Sequence, residues 1–277
     1  MPELPEMQAL AERLDALLRG KELTGFHLHQ FSALKTYDPA PEAVIGLGIE
    51  EVRRRGKYLV FDLEDVRLLV HLSQGGRVAL EDPPRTSRPK HAVARLGFQD
   101  APSLLIKEFG TQRKAGLWLL AGDDEGPLER LGPEPDDPSF REWVSSADDG
   151  RRLHTSLRDQ RTVAGIGRGF VDDILHEAGL SPYATLRSLD PDQRSVLLEA
   201  VATVLARGLQ AERRRTGGLP DKLPGRFAVH GRFGSPCPRC GEALQRVSYE
   251  DYEIVYCPAC QTGGKRLADR RLSRLVK

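Results

Sequence analysis

Two cysteine pairs, Cys237-Pro-Arg-Cys240 and Cys257-Pro-Ala-Cys260, hold all 4 cysteines of the chain and stand sixteen residues apart. Two thiolates three positions apart on a tight turn present both sulfurs to one ion, and two such turns complete a tetrahedral set for Zn²⁺. Four sulfur ligands leave no open position for a reactive water, so the expectation is one structural zinc held by Cys237, Cys240, Cys257 and Cys260. The run Val247–Tyr256 between the pairs fits the strands of a hairpin. The competing reading, two disulfides or a redox pair, suits an oxidising compartment. Met1-Pro2-Glu3-Leu4-Pro5-Glu6 is acidic and has no basic region followed by an apolar stretch, so it is no secretory signal, and a cytoplasmic protein with reduced thiols is expected.

The rest of the chain reads as two further segments. Met7, Leu10, Leu14, Leu17 and Leu18 recur at three- and four-residue spacing and predict a helix that stops at Gly20, with Pro5 in its first turn. From Leu23 to about Leu120 the apolar runs are short (Tyr58–Phe61, Leu68–Val70, Leu117–Leu120) and punctuated by Gly and Pro, which predicts a β-sandwich or barrel. Ala121–Pro127 reads as a linker, and residues 128 to 215 are helical in pattern, Ser195–Arg207 most clearly. The expected class is α+β, with domains at 1–122, 127–225 and 226–277. No run of about 18 apolar residues is present, so no helix is expected to span a membrane. The formal net charge is only +1, so an anion-binding surface must be local. The basic residues do bunch, at Arg53, Arg54, Arg55 and Lys57, at Arg213, Arg214 and Arg215, and at Lys265, Arg266, Arg270, Arg271, Arg274 and Lys277.

The N-terminus carries chemistry if Met1 is removed. Pro2 then holds a free secondary amine, which titrates near pH 8 and is a nucleophile at neutral pH. Its attack on an aldehydic carbon gives an iminium that cannot shed a proton to become neutral, an electron sink for eliminating a neighbouring substituent. Glu3 stands beside it at the positive end of the first helix, placed to move a proton at a sugar oxygen. Taken alone, the same residues also read as an acidic helix start with prolines.

Pro2-Glu3-Leu4-Pro5-Glu6 joined to a C-terminal four-cysteine finger resembles the formamidopyrimidine-DNA glycosylase and endonuclease VIII family. Arg55-Gly-Lys57-Tyr58-Leu59, His71-Leu72, Leu131-Gly-Pro-Glu-Pro135, Asp159-Gln160 with Val163-Ala-Gly-Ile-Gly167, Asp172-Asp173-Ile-Leu175, Ala178–Pro182 and Val229-His-Gly-Arg232 extend the match in order along the chain. The resemblance implies an N-terminal β-sandwich with flanking helices, a helix–two-turn–helix domain and a C-terminal zinc finger. It implies a base-excision-repair glycosylase with abasic-site lyase activity, acting on double-stranded DNA with damaged bases or abasic sites as a monomer in a bacterial, nucleoid-associated setting. By matching positions Pro2 would form the Schiff base with C1′, Glu3 would help open the sugar, Glu6 would support both, and Lys57 would hold the phosphate beside the lesion. His71, Gln74, His91, Arg113, Gly167, Arg168 and Lys265 would contact DNA.

The chain departs from the family where DNA is read. Gln74 stands at the position of a methionine wedge, and in Glu108–Lys114 only Arg113 is left as a candidate contact. Arg168 replaces an asparagine, and Tyr252 replaces the finger arginine, which predicts β-elimination with little δ-elimination. Leu219–Ala228 is short for a loop closing over a purine, which predicts a preference for oxidised pyrimidines or abasic sites. These changes keep open a second reading, a non-catalytic or lesion-binding DNA-binding protein on the same scaffold.

Overall fold

In the computed structural model, which describes residues 1–110, 112–222, 227–249 and 252–267, the first apolar stripe forms a 15-residue helix, α1 (Leu4–Leu18). Its buried face, Met7, Leu10, Leu14 and Leu18, follows the spacing in the sequence. The short apolar runs form two antiparallel four-stranded sheets. One has the order β1 (Leu23–Leu28), β6 (Ala92–Phe98), β7 (Ala101–Glu108), β5 (Gly76–Glu81). The other has β2 (Glu51–Arg55), β3 (Tyr58–Leu63), β4 (Val66–His71), β8 (Gly116–Ala121). Phe61, Leu68 and Val70 of one sheet and Leu96, Leu104 and Ile106 of the other share a single core with α1. A strand buried on one face alternates; β3 instead buries Leu59, Val60 and Phe61 in succession, as a strand covered on both faces does.

The chain divides into two compact units, Met1–Arg130 with Gly208–Pro224, and Leu131–Arg207 with Gly225–Lys277. Residues expected to close the helical segment thus belong with the sandwich. The reason is local: the Arg13 guanidinium donates to the carbonyls of Glu212 (3.0 Å) and Gly217 (2.9 Å), and Leu219 pairs with Val78 through a 2.7 Å backbone bond.

The second unit contains α2 (Pro138–Ser146), α3 (Leu153–Arg158), α4 (Arg168–Glu177) and most of α5 (Pro191–Arg213). The expected hairpin forms from β9 (Gln245–Ser248) and β10 (Glu253–Tyr256), followed by α6 (Pro258–Thr262). The finger has a small core of its own, Val229, Leu244 and Val255 around Cys237 and Cys257. It is also tied to α4 through two adjacent carboxylates. Asp173 accepts the backbone N–H groups of Ala228, Val229 and His230 at 2.7, 2.9 and 3.3 Å. Asp172 accepts Val255 N–H at 3.2 Å and meets His230 Nδ1 at 2.6 Å. Among the described residues no helix is long and apolar enough to cross a membrane.

Candidate active site and metal centre

Pro2, Glu3 and Glu6 are all buried at the start of α1. Glu3 is the N-cap and forms a capping box with Glu6, in which the Glu3 backbone N–H donates to Glu6 Oε2 at 2.7 Å. Two carboxylates therefore gather where the helix dipole favours negative charge, in the turn that directly follows Pro2 in the chain. Met1 is 41% exposed, so its removal uncovers the Pro2 nitrogen without opening the core.

Lys57 lies on the two-residue turn between β2 and β3. Gly56 takes φ 56° at the first turn position, where a tight hairpin of this kind favours glycine. The sequence reading missed how this turn is tied to α1: Arg54 Nε donates to Gln8 Oε1 at 3.0 Å while its Nη1 donates to the Gly56 carbonyl at 3.0 Å. Arg54 thus braces the lysine turn against the helix that begins at Pro2.

Lys57 is buried, and its charge is felt by His71 at the end of β4. Burial and, second, Lys57 lower the His71 imidazole to about 4, so the ring is neutral at pH 7. It packs on Tyr58, its partner in the β3–β4 register, with centroids 4.6 Å apart, and Tyr58 in turn meets Trp118 edge-on at 5.7 Å. A Cβ at Gly116, which pairs with His71 across β8, would lie 2.3 Å from the Trp118 ring, so the indole takes the space a side chain would need. A group whose folded pKa lies below its unfolded value stabilises the fold above the unfolded pKa and loses that contribution as pH falls through the gap. The sandwich is therefore expected to lose about 3 kcal/mol from this group as pH falls from 6.5 to 4. His71→Gln should flatten the pH dependence of the thermal midpoint over that range; an unchanged slope would refute the assignment.

The remaining candidates of the first unit stand on loops. Gln74 is exposed in the turn from β4 to β5. His91 takes φ 69° and packs its ring 4.9 Å from Phe109. Arg113 is exposed and donates to Gln30 Oε1 at 3.1 Å. Its loop is held by Glu108, whose buried Oε1 accepts the N–H groups of Lys114 (2.7 Å) and Ala115 (2.8 Å). Glu108 was read from sequence only as part of a changed segment.

In the second unit Gly167 is the N-cap of α4 and Arg168 its first residue. The two-turn loop before them is fastened by Gln160, whose amide donates to the Ile166 carbonyl (2.7 Å) and accepts Gly165 N–H (2.9 Å). Tyr252 does not stand alone. Its ring stacks on Tyr249 at 4.5 Å, and the guanidinium carbons of Arg158 and Arg168 lie 4.2 and 5.5 Å from its centroid. Two guanidinium groups thus stand against the ring that occupies the place of the finger arginine.

The four cysteine sulfurs lie within 4.8 Å of one another, with Cys237–Cys260 at 3.9 Å and Cys240–Cys257 at 3.4 Å. Sulfurs at about 2.3 Å from a tetrahedral zinc stand about 3.8 Å apart, whereas a disulfide needs about 2.05 Å, so the set fits zinc and not a pair of disulfides. Burial and the surrounding sulfurs push the Cys257 and Cys260 thiols up. Burial also opposes a Cys237 thiolate, yet the N–H groups of Cys240 and Arg239 and the His176 ring hold it down to about 6. A cation is what lets all four carry charge together. His176, on the last turn of α4, meets Cys237 Sγ through Nε2 at 3.1 Å, a contact with no signal in the sequence.

The basic clusters fare unevenly. Arg53 pairs with Asp62 at 2.7 Å, Arg213 with Glu12 at 2.7 Å and Arg215 with Glu212 at 3.0 Å, so these arginines serve the fold. Lys265 and Arg266 are exposed past α6. Arg270, Arg271, Arg274 and Lys277 lie outside the described residues, as do residues 223–226 of the Leu219–Ala228 segment.

Comparison with known proteins agrees with this layout. The profile of the formamidopyrimidine-DNA glycosylase N-terminal domain matches residues 1–118, and that of the formamidopyrimidine-DNA glycosylase H2TH domain matches residues 131–217. The chain is 34% identical over 278 residues to the formamidopyrimidine-DNA glycosylase of Thermus thermophilus, covering 95% of this chain and 100% of that protein. An uncharacterised formamidopyrimidine-DNA glycosylase-like protein of Mycobacterium tuberculosis is 44% identical over 152 residues, 53% of this chain and 94% of its own length. The crystal structure of the Thermus thermophilus protein superposes with a TM-score of 0.79 at 33% identity, over 96% of this chain and all of that one. The Lactococcus lactis glycosylase bound non-covalently to DNA containing an abasic site gives 0.80 at 25% identity, over 94% and 99% of the two chains. The chain belongs to the formamidopyrimidine-DNA glycosylase family.

Proposed function

We propose that this glycosylase is bifunctional: it excises oxidised bases from double-stranded DNA and then cuts the strand as an abasic-site lyase, through a Schiff base on Pro2. The observation that carries the reading is the buried Glu3–Glu6 pair at the head of α1, directly after Pro2 in the chain. In the first step the Pro2 lone pair bonds to C1′ while the bond from C1′ to the base breaks, the base leaving with the electron pair and a proton. Glu3 protonates the ring oxygen as the sugar opens, which turns the C1′–N bond into an iminium. Loss of a C2′ proton then feeds electrons into the iminium and expels the 3′ phosphate, and water later releases the remnant and regenerates the amine. Lys57, buried on its braced turn beside a neutral His71, holds the phosphate next to the lesion. Gln74, His91, Arg113, Gly167, Arg168 and Lys265 are the proposed DNA contacts. One zinc on the four cysteines holds the finger and takes no part in the chemistry.

Replacing Glu3 tests the reading. Glu3→Gln should lower excision of a damaged base by about 100-fold, the lower range for a lost general acid. Cleavage of a preformed abasic site, which is open to the aldehyde part of the time, should fall far less. Equal losses on the two substrates would remove Glu3 from the ring-opening step. A second reading, a lesion-binding protein without turnover, is favoured by Gln74, Arg168 and Tyr252 at altered DNA-reading positions; tight binding of abasic DNA by wild-type protein with no cleavage would establish it instead.

A further inference from the structure

We infer that Arg158, laid on the Tyr252 ring, binds a backbone phosphate of the DNA, with the ring as its platform. The inference rests on the proposal that DNA is the ligand. Arg158 ends α3 and Arg168 begins α4, so the two cations flank the two-turn loop that Gln160 fastens. Tyr252 brings the finger hairpin to both of them, with guanidinium carbons at 4.2 and 5.5 Å from its ring.

The stack is supported from behind. Tyr249 lies parallel to Tyr252, 9° from coplanar at 4.5 Å, and its hydroxyl is fixed by Arg152 Nη1 at 3.0 Å and the Tyr183 hydroxyl at 3.0 Å. Arg152 itself is spent on this scaffold, its guanidinium carbon 3.7 Å from the Tyr183 centroid. Arg158 is different. Other arginines of this unit are neutralised, Arg151 by Asp149, Arg187 by Asp148, Arg207 by Glu177 and Arg246 by Glu253. Among the described residues no carboxylate pairs with Arg158, which is half-buried. A guanidinium lying on an aromatic face keeps its N–H groups in its own plane, directed away from the ring, in the fork that matches two phosphate oxygens. The ring also removes rotamer freedom before the ligand arrives, so less is lost on binding.

The test measures binding of a duplex carrying a reduced, non-cleavable abasic site by fluorescence anisotropy, over a series of salt concentrations. Loss of one phosphate contact should lower the salt slope by about 1 and weaken binding by roughly 5- to 10-fold at 0.1 M salt. Arg158→Gln should do this with zinc content and thermal midpoint at wild-type values, and Arg158→Lys, which keeps the charge and loses the fork, should fall between. Tyr252→Ala should weaken binding in the same way, and the double variant should bind no worse than either single one, because both changes remove one contact. A wild-type salt slope in Arg158→Gln, or additive losses in the double variant, would overturn the inference. Wild-type protein that binds this duplex but forms no covalent adduct with true abasic DNA refutes the lyase proposal and leaves this contact standing. Wild-type protein that fails to bind the duplex removes both.

Discussion

Protein with a free Pro2 amine forms a borohydride-trapped covalent adduct with abasic-site DNA, and protein that retains Met1 forms none. The expected contrast is total, because it turns on a bond order and not on packing. With Met1 in place the Pro2 nitrogen is a tertiary amide whose lone pair is delocalised into the carbonyl, so it has no basicity and no nucleophilicity. Once it is free, an amine titrating near pH 8 leaves roughly a tenth of the molecules reactive at pH 7. The neighbouring Glu3 and Glu6 carboxylates then stabilise the cationic iminium electrostatically. The comparison needs two preparations, one processed and one with the initiator methionine held by an added N-terminal residue, checked by mass spectrometry. Undiminished trapping by the unprocessed form would assign the nucleophile to another group, with Lys57 the first to examine.

Loss of any one cysteine empties the finger of metal. Freshly reduced protein should carry one zinc per chain, and Cys240→Ser should carry less than about a tenth of that. Structural zinc sites hold their ion with apparent free energies of about 10–16 kcal/mol, and a hydroxyl does not replace a thiolate at neutral pH. DNA binding should fall with the metal, because Tyr252 and β10 are positioned by the finger's own small core, of which Cys237 and Cys257 are part. The sandwich core, with Phe61, Leu68, Leu96 and Ile106, is separate and should keep its thermal transition. Zinc well below one per chain in reduced wild-type protein would contradict the assignment, as would a sandwich that melts with the finger.

What was legible in the sequence was whatever depends on short spacings. The stripe that became α1, the apolar runs that became the two sheets, and the C-x-x-C turns that gather four sulfurs all write their geometry within a few residues. The capping box of Glu3 and Glu6 spans as few residues, yet it went unread and was seen only in the structure. Contacts between distant segments leave no such mark. Arg53 looked like part of an anion-binding patch because Asp62, its partner on the next strand, is not a neighbour in sequence. Arg54 belongs to the same basic cluster in sequence, although it braces the lysine turn through Gln8 and Gly56. Tyr252 was read as a lost charge because Arg158 and Arg168 reach it from other elements. Residues 208–215 continue a helical pattern and the stretch from Gly217 reads as a loop, and nothing in either says that Arg13 will take the carbonyls of Glu212 and Gly217.

The paired carboxylates of α4 set an order on how the second unit is made. A ribosome releases α3 and α4 well before it reaches the finger, and a segment emerging alone must satisfy its polar groups with what has already been synthesised. Asp173 finds its N–H donors at residues 228–230, and Asp172, which already faces His154 Nε2 of α3 at 3.2 Å, gains His230 and the Val255 N–H from the finger segment. Until those residues emerge, the Asp173 carboxylate lacks its three backbone donors, and water holds the place open. The helix that presents Arg168 therefore closes against its final neighbours only after β10 has been translated. Metal capture follows later still, because Cys260 is the last ligand to leave the ribosome. Nascent chains stalled before Val255 should consequently expose α4 to protease, while the sandwich strands, complete by Ala121, are already protected.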